Sequence, residues 1–182
     1  MEQLFAPWRI EWVERSSSET DDRCPFCTLP ERDADRKHRI VARSEHAFVL
    51  LNNAPYSPGH AMVIPYEHGG ELRALADDVL LDCAKLKART IDALDATYDP
   101  DGFNAGENLG GDAAGGSIDD HVHTHVVPRW RGDTNFMPVI GDAKVIVEAL
   151  EDSYDRLHDA FAEQSGADVG DGAVRFDLLD GR

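Results

Sequence analysis

Basic residues are scarce in this sequence of 182 residues. Eighteen Lys and Arg side chains stand against 35 Asp and Glu side chains, which gives a formal net charge of −17 at pH 7. Proteins that bind nucleic acids hold the phosphate backbone through clustered cations, and no basic stripe exists here. The charge balance therefore predicts no nucleic-acid partner.

Lysine is the scarcer of the two basic residues, with four lysines beside 14 arginines and 23 aspartates. Such a composition suits a cytoplasm of very high salt. At about 1 M salt the Debye length falls to roughly 3 Å, so the self-repulsion of an acidic chain is largely screened. We therefore expect a halophilic source, with an ordinary acidic mesophilic protein as the alternative.

Long apolar runs are also absent. No stretch approaches the roughly 18 apolar residues that a membrane-spanning helix requires, and residues 1–9 lack the basic and apolar regions of a signal peptide. We expect a cytoplasmic protein with no membrane partner. The hydrophobic content of 42% is nevertheless that of a globular protein, and the length suits one domain.

Three cysteines are too few for a disulfide framework. Cys24 and Cys27 form a Cys-x-x-Cys pair, which in a reducing compartment indicates metal binding or thiol redox chemistry. Structural zinc takes four nitrogen or sulfur ligands, so a zinc site here needs two histidines beside the cysteines. A metal-free redox dithiol is the alternative. Cys83 falls in a helical pattern, where we expect a small buried hydrophobe.

Short apolar segments and one strong helical period predict a mixed α and β structure. Turn-forming residues separate segments of strand composition, which predict strands at 38–43, 46–51, 60–66 and 102–108. We expect the second and third of these strands to be antiparallel. Apolar residues at a period near 3.6 predict a long helix at 71–98 and a second helix at 142–161.

The chain divides into three predicted parts. Residues 1–23 are too apolar for an exposed tail, and we expect them to pack on the domain or on a dimer partner. Residues 24–161 form the domain. Residues 162–182 are acidic and glycine-rich with one apolar patch, which fits an acidic C-terminal tail or a docking strand.

Three histidines alternate in one short segment. In a β-strand, His121, His123 and His125 would share one face about 6–7 Å apart, with the residues between them on the other face. Imidazole at neutral pH can serve as nucleophile, proton carrier or metal ligand. The glycine-rich segment 109–117 leads into this row, and its backbone amides can approach an anion closely. A purely metal-binding row and three merely exposed histidines are the alternatives.

These motifs resemble the histidine triad (HIT) superfamily. Residues 121–127 resemble its signature, and residues 48–52, 58–68 and 108–117 resemble its paired strands and its approach to the triad. The resemblance implies an α+β, HIT-like fold with a five-stranded antiparallel sheet, one long helix and one C-terminal helix. It also implies a homodimer.

The resemblance implies cleavage of a nucleotide at its α-phosphate. His123 would be the nucleophile that forms a nucleotidyl-histidine, and His125 would contact the phosphoryl oxygens. Asn52 would hold the ribose. Asn108, together with Gly115, Gly116 and Ser117, would line the phosphate. Ser117, also assigned to the catalytic set, stands where many hydrolases of the superfamily carry glutamine, which leaves open whether water or phosphate resolves the intermediate.

Two further segments, 5–9 and 128–136, resemble branches that handle diadenosine polyphosphates, including diadenosine tetraphosphate phosphorylases. We therefore expect a dinucleoside polyphosphate substrate. A purine nucleoside phosphoramidase and a non-catalytic, zinc-stabilised nucleotide-binding protein are the alternatives.

Zinc-containing members of the superfamily imply the two remaining ligands of a structural zinc. His68 and His121 would complete the set with Cys24 and Cys27, and His60 is the alternative to His68.

Overall fold

A seven-stranded sheet forms the centre of the part of the chain that the structure describes. The computed structural model describes residues 23–109, 118, 120–133 and 148–179. The strands are β1 (Ile40–Arg43), β2 (Ala47–Leu51), β3 (Ala61–Pro65), β4 (Gly102–Glu107), β5 (Thr124–Arg129), β6 (Ala167–Asp168) and β7 (Val174–Phe176). Their order across the sheet is β4-β5-β3-β2-β1-β7-β6.

The α+β class is confirmed, but the prediction of five antiparallel strands is wrong. The strands β4, β5, β3, β2 and β1 are antiparallel to their neighbours. After them β7 pairs with β1 in parallel, and β6 pairs antiparallel with β7. The sequence left open whether residues 162–182 form a tail or a docking strand. Val174–Phe176 forms a strand that docks on β1. The predicted domain boundaries remain predictions.

The described helices are α1 (Pro25–Thr28), α2 (Asp35–His38), a 3-10 helix (Leu72–Ala74), α3 (Asp77–Tyr98) and α4 (Leu150–Ala162). None of them is long and apolar enough to cross a membrane. Both long helices pack on the same face of the sheet and on each other. Their apolar stripes cover buried strand residues such as Val49, Val63 and Val126.

Both long helices begin later than the sequence predicts. The chain at Leu75 and Ala76 is extended, and this break turns Leu75 into an apolar cluster with Val79 and Val122. Asp77 and Asp78 then begin α3, where acidic side chains favour the helix dipole. Ala149 is extended as well, so α4 starts at Leu150. Residues 142–147 of that prediction lie outside the described residues, as do residues 1–22.

The opposite face of the sheet carries a second apolar cluster. Phe48, Leu50 and Ile64 point to this side, because side chains alternate along a strand. Phe26 from α1 covers them. His125 pairs with Met62 across β5 and β3, which puts its ring on the same face.

The histidine strand is shorter than predicted. β5 begins at Thr124, so His121 and His123 precede it. Continuing the register that pairs Val63 with Thr124 would bring Val122 opposite Pro65. Proline has no N–H, so the ladder cannot extend there. Val122 instead donates its N–H to the carbonyl of Gly69 at 2.7 Å.

Candidate functional site

Two cysteines and two histidines from separate segments meet where β3 ends and β5 begins. Cys24 and Cys27 flank the start of α1, and Pro25 at its first position favours the tight turn. His68 follows β3, and His121 precedes β5. Their sulfur and nitrogen atoms all lie within 4.8 Å of one another. The structure thus brings together the four residues predicted as metal ligands.

The spacing of these atoms fits zinc. Nδ1 of His121 lies 3.4 Å from Sγ of Cys24 and 3.6 Å from Sγ of Cys27. Nδ1 of His68 lies 3.4 Å both from Sγ of Cys27 and from Nδ1 of His121. Tetrahedral zinc with its usual bond lengths separates its ligand atoms by about 3.4–3.8 Å. The donors therefore match zinc in chemistry, number and separation.

His121 is oriented by a backbone carbonyl. Its side chain is 1% exposed, and its Nε2–H donates to the carbonyl oxygen of Pro65 at 2.8 Å. Burial lowers the pKa of His121, although the hydrogen bond to Pro65 opposes this. The neutral ring consequently carries its proton on Nε2 and directs the Nδ1 lone pair at the thiols. Hydrogen bonding of the non-ligating nitrogen to a carbonyl is usual for metal-bound histidine.

His123 is oriented in the opposite sense. Its Nδ1–H donates to the carbonyl oxygen of His121 at 2.9 Å, so Nε2 holds the lone pair of the neutral ring. Nε2 has no hydrogen-bond partner among the described residues. The ring of Phe26 lies edge-on to both His121 and His123, with centroids 5.6 and 5.1 Å away. The ring of His123 is therefore held in place, with Nε2 left as the acceptor nitrogen.

A chain of hydrogen bonds orients His125. The backbone N–H of Tyr56 donates to Nδ1 of His60 at 3.0 Å, which leaves the proton of neutral His60 on Nε2. That Nε2–H donates to Nδ1 of His125 at 2.9 Å. His125 consequently carries its own proton on Nε2. The rings of His123 and His125 meet edge-on with centroids 4.9 Å apart, so the ring that carries this donor is the direct neighbour of the ring of His123.

The electrostatic surroundings favour neutral His125. Burial is the largest influence that lowers the pKa of His125, and the charge of His123 when protonated lowers it further. The carboxylate of Glu107 opposes both. Glu107 also accepts the hydroxyl hydrogen bond of Thr124 at 2.6 Å, which supplies the partner that the Thr124 hydroxyl needs.

His60 is a functional candidate that the sequence prediction did not place beside the histidine row. We considered it only as an alternative zinc ligand, whereas it lies with His125 and His68 lies with the cysteines. His60 stands directly before β3, and β3 pairs with β5, which carries His125. The position of His60 in the sequence could have indicated the contact only if this strand pairing had been known.

The remaining predicted site residues are only partly described. Asn52 follows β2, and its side-chain oxygen accepts the N–H of Ala54 at 2.8 Å. Its side-chain N–H contacts the sulfur of Met62 at 3.6 Å. Asn108 is exposed directly after β4. Gly115, Gly116 and Ser117 lie outside the described residues.

The two arginines that follow the triad are already paired. Arg129 forms a two-point ion pair with Asp133 and also donates to Asn104 at 2.9 Å. Nε of Arg131 lies 4.0 Å from Oδ1 of Asp101. They add little net positive charge to the site. Attraction of an anion at this site then depends on imidazole and backbone N–H groups.

Comparisons with known proteins agree with this geometry. An AP-4-A phosphorylase of Mycobacterium tuberculosis is 38% identical over 173 residues, which cover 90% of this chain and 86% of that protein. The adenosine 5'-monophosphoramidase hnt1 of Schizosaccharomyces pombe is 31% identical over 106 residues, covering 58% of this chain and 74% of the relative.

A crystal structure of a zinc-bound histidine triad family protein from Mycobacterium smegmatis superposes with a TM-score of 0.64. It is 28% identical and covers 78% of this chain and 95% of its own. The sequence model of the HIT domain matches residues 34–132. With the histidine row, the fold and these relatives in agreement, this chain belongs to the HIT domain family.

Proposed function

We propose that this protein cleaves dinucleoside polyphosphates, such as diadenosine tetraphosphate, at an α-phosphate through a nucleotidyl-histidine intermediate. The observation that carries the proposal is the pair formed by the Nε2 lone pair of His123 and the Nε2–H of His125 beside it. One group can attack phosphorus while the other binds a phosphoryl oxygen. The 38% identity to the mycobacterial AP-4-A phosphorylase supports the substrate class.

The first half-reaction uses the orientation of His123. Its Nε2 lone pair forms a bond to the α-phosphorus, and the bond from that phosphorus to the bridging oxygen breaks with its electron pair on the leaving polyphosphate. Positive charge develops on the imidazole. The carbonyl oxygen of His121, 2.9 Å from Nδ1, stabilises that charge and prevents the ring from rotating.

The second half-reaction returns His123 to its starting form. An acceptor oxygen attacks the phosphorus, and the phosphorus–nitrogen bond breaks with its electrons returning to Nε2. Water as acceptor gives a nucleoside monophosphate, whereas orthophosphate gives a nucleoside diphosphate. The phosphorylase relative supports orthophosphate. Ser117 remains our candidate for the residue that influences this choice.

Substrate binding draws on the residues around the histidines. Among the described residues the side-chain N–H of Asn52 meets only the sulfur of Met62, a weak acceptor that a ribose hydroxyl can replace. Asn108 and the backbone of Gly115, Gly116 and Ser117 would line the phosphates. His60 is added as a positioning residue that fixes the tautomer of His125.

The Cys24, Cys27, His68 and His121 cluster is proposed to hold a structural zinc. Bound zinc would join the segment around α1 to the segment that leads into β5 by four protein–metal bonds. Metal analysis of protein purified without chelator tests this. We expect about one equivalent of zinc per chain, and less than half an equivalent would contradict the assignment.

Three expectations from the sequence stay proposals: a cytoplasmic location, a homodimer and a halophilic source. The outer edge of β4 supports a dimer, because β4 has a strand neighbour on one side only among the described residues. Light scattering would give the mass of the assembly. Thermal melting between low and molar salt tests halophily, and a midpoint that does not rise with salt would contradict it.

Product analysis tests the activity itself. The protein is incubated with diadenosine tetraphosphate at high salt, with and without orthophosphate. ADP that forms only with phosphate identifies a phosphorylase, and AMP with ATP in its absence identifies a hydrolase. Adenosine 5'-phosphoramidate is the competing substrate, because phosphoramidase relatives are also found. A higher kcat/KM for it would overturn the proposal, and no turnover of either would favour nucleotide binding alone.

A further inference from the structure

The loop between β2 and β3 is unusually well held for an exposed connection. His60 N–H donates to the carbonyl of Ser57 at 3.1 Å, and the Ser57 hydroxyl donates to the carbonyl of Pro128 at 2.8 Å. Gly59 has a φ of 74°, and a Cβ there would lie 2.5 Å from a ring carbon of Tyr98. The loop therefore lies closely on α3 and is tied to β5.

This loop presents an aromatic ring beside the catalytic histidines. The Tyr56 ring stacks on His60 with centroids 4.6 Å apart and an angle of 29° between the planes. It lies 6.2 Å from the ring of His125. His60 is almost fully buried, whereas 65% of Tyr56 is exposed. One ring face covers the histidines, and most of the side chain is open to solvent.

The position of Tyr56 along the row of rings suggests which part of a substrate it meets. His123 contacts His125, and His125 in turn contacts His60 and Tyr56. The reacting phosphorus must lie at His123. Polyphosphate that continues past His125 would bring the second nucleoside toward Tyr56. A base has an aromatic face that stacks on such a ring whatever its hydrogen-bonding groups.

We propose that Tyr56 is a stacking platform for the base of the leaving nucleotide, and that it determines the preference for dinucleoside over mononucleoside polyphosphates. This role rests on the proposed function. A ring on a preorganised loop loses little conformational freedom when a base stacks on it, which favours recognition at this position.

A matched pair of substrates tests this role. Diadenosine tetraphosphate and adenosine 5'-tetraphosphate share one nucleoside and four phosphates and differ in the second adenosine. We expect Tyr56→Leu to lower kcat/KM for the first by roughly 5- to 100-fold, the range for loss of one base–aromatic stack. For the second, the change should stay within about twofold. Tyr56→Phe and Tyr56→Trp should keep the preference, and the remote exposed Val169→Ala serves as control.

The contradicting results are equally specific. An equal loss for both substrates would mean that Tyr56 only supports His60, and no loss for either would mean that it binds nothing; each overturns the proposal. If Tyr56→Leu does not fold, the two aromatic variants decide. Loss of the preference for diadenosine tetraphosphate in folded Tyr56→Phe and Tyr56→Trp would overturn the proposal. Failure of the wild-type protein to cleave either substrate refutes the proposed function, and the role of Tyr56 with it.

Discussion

His121 and His123 stand two residues apart, are both buried, and present opposite ring nitrogens to their surroundings. His121 donates from Nε2 to the carbonyl of Pro65 and turns Nδ1 to the two thiols. His123 donates from Nδ1 to the carbonyl of His121 and keeps the lone pair on Nε2. The first orientation suits a metal ligand, and the second suits the nucleophile that we propose.

Backbone carbonyls, rather than residue type, make this difference. A neutral imidazole has one donor and one acceptor nitrogen, so a fixed acceptor on one side determines the chemistry of the other side. The same rule reaches His125 through His60, which accepts the N–H of Tyr56. The metal cluster and the catalytic row should therefore respond separately to substitution.

Loss of the nucleophile should have the largest effect. His123→Asn keeps a side chain of similar polarity but cannot form the nucleotidyl intermediate, so turnover should fall by about 10³-fold or more. Zinc content and thermal midpoint should stay close to wild type, because His123 is not among the cluster atoms. Steady-state kinetics with diadenosine tetraphosphate measures the loss. Retention of more than about 1% of wild-type activity would remove His123 as nucleophile.

A substitution in the Cys24, Cys27, His68 and His121 cluster should affect the metal. Cys27→Ser removes one thiolate, and we expect the zinc content to fall to a small fraction of an equivalent. Zinc contributes about 10 kcal/mol or more in small zinc domains, and a chain of this size loses ~2–4 °C per kcal/mol, so complete loss of the metal should lower the midpoint by roughly 20 °C or more.

Cys83→Ala is the matched control for the metal cluster. Cys83 lies in α3, and burial raises the pKa of its thiol to about 12. Atomic absorption and calorimetry should show full zinc content and only a modest loss of stability. Equal zinc in Cys27→Ser and wild type would contradict the ligand set.

A smaller loss is expected when His60 is replaced. His60→Leu removes the donor that fixes the tautomer of His125, so kcat should fall roughly 10- to 100-fold, the usual order for groups that orient a functional histidine. KM and zinc content should change little. His46→Leu, at a partly exposed histidine next to β2, is the control. If zinc were lost together with activity in His60→Leu, the separation of the two regions would be wrong.

The smallest expected effect is on the pH profile. In the proposed mechanism neutral His125 donates from Nε2 to the substrate, and burial holds the pKa of His125 below its ordinary value near 6.5. The acid limb of kcat/KM should therefore lie below pH 6.5, with activity lost as the pH falls through it. Glu107→Gln removes a carboxylate that raises this pKa and should move the limb further down. A limb that moves up would contradict this assignment.

The strands β1 to β5 and the meeting of Cys24, Cys27, His68 and His121 could be predicted, because apolar segments, Cys-x-x-Cys spacing and the resemblance to the superfamily are local in sequence. The pairing of β7 with β1 could not, since Val174–Phe176 is too short for a periodic pattern and its partner lies far away in the chain. The place of His60 beside His125 could not be predicted for a similar reason. Its contact with His125 exists only through the pairing of β3 with β5.

The tautomers of His121 and His123 test the central claim most directly. Long-range proton–nitrogen correlation spectra of the cadmium-substituted protein, labelled with ¹⁵N at histidine, report which ring nitrogen carries hydrogen and which couples to ¹¹³Cd. We expect His121 to be protonated at Nε2 with Nδ1 coupled to the metal, and His123 to be protonated at Nδ1 with no metal coupling. Metal coupling at His123, or a proton on its Nε2 in the neutral ring, would contradict the account.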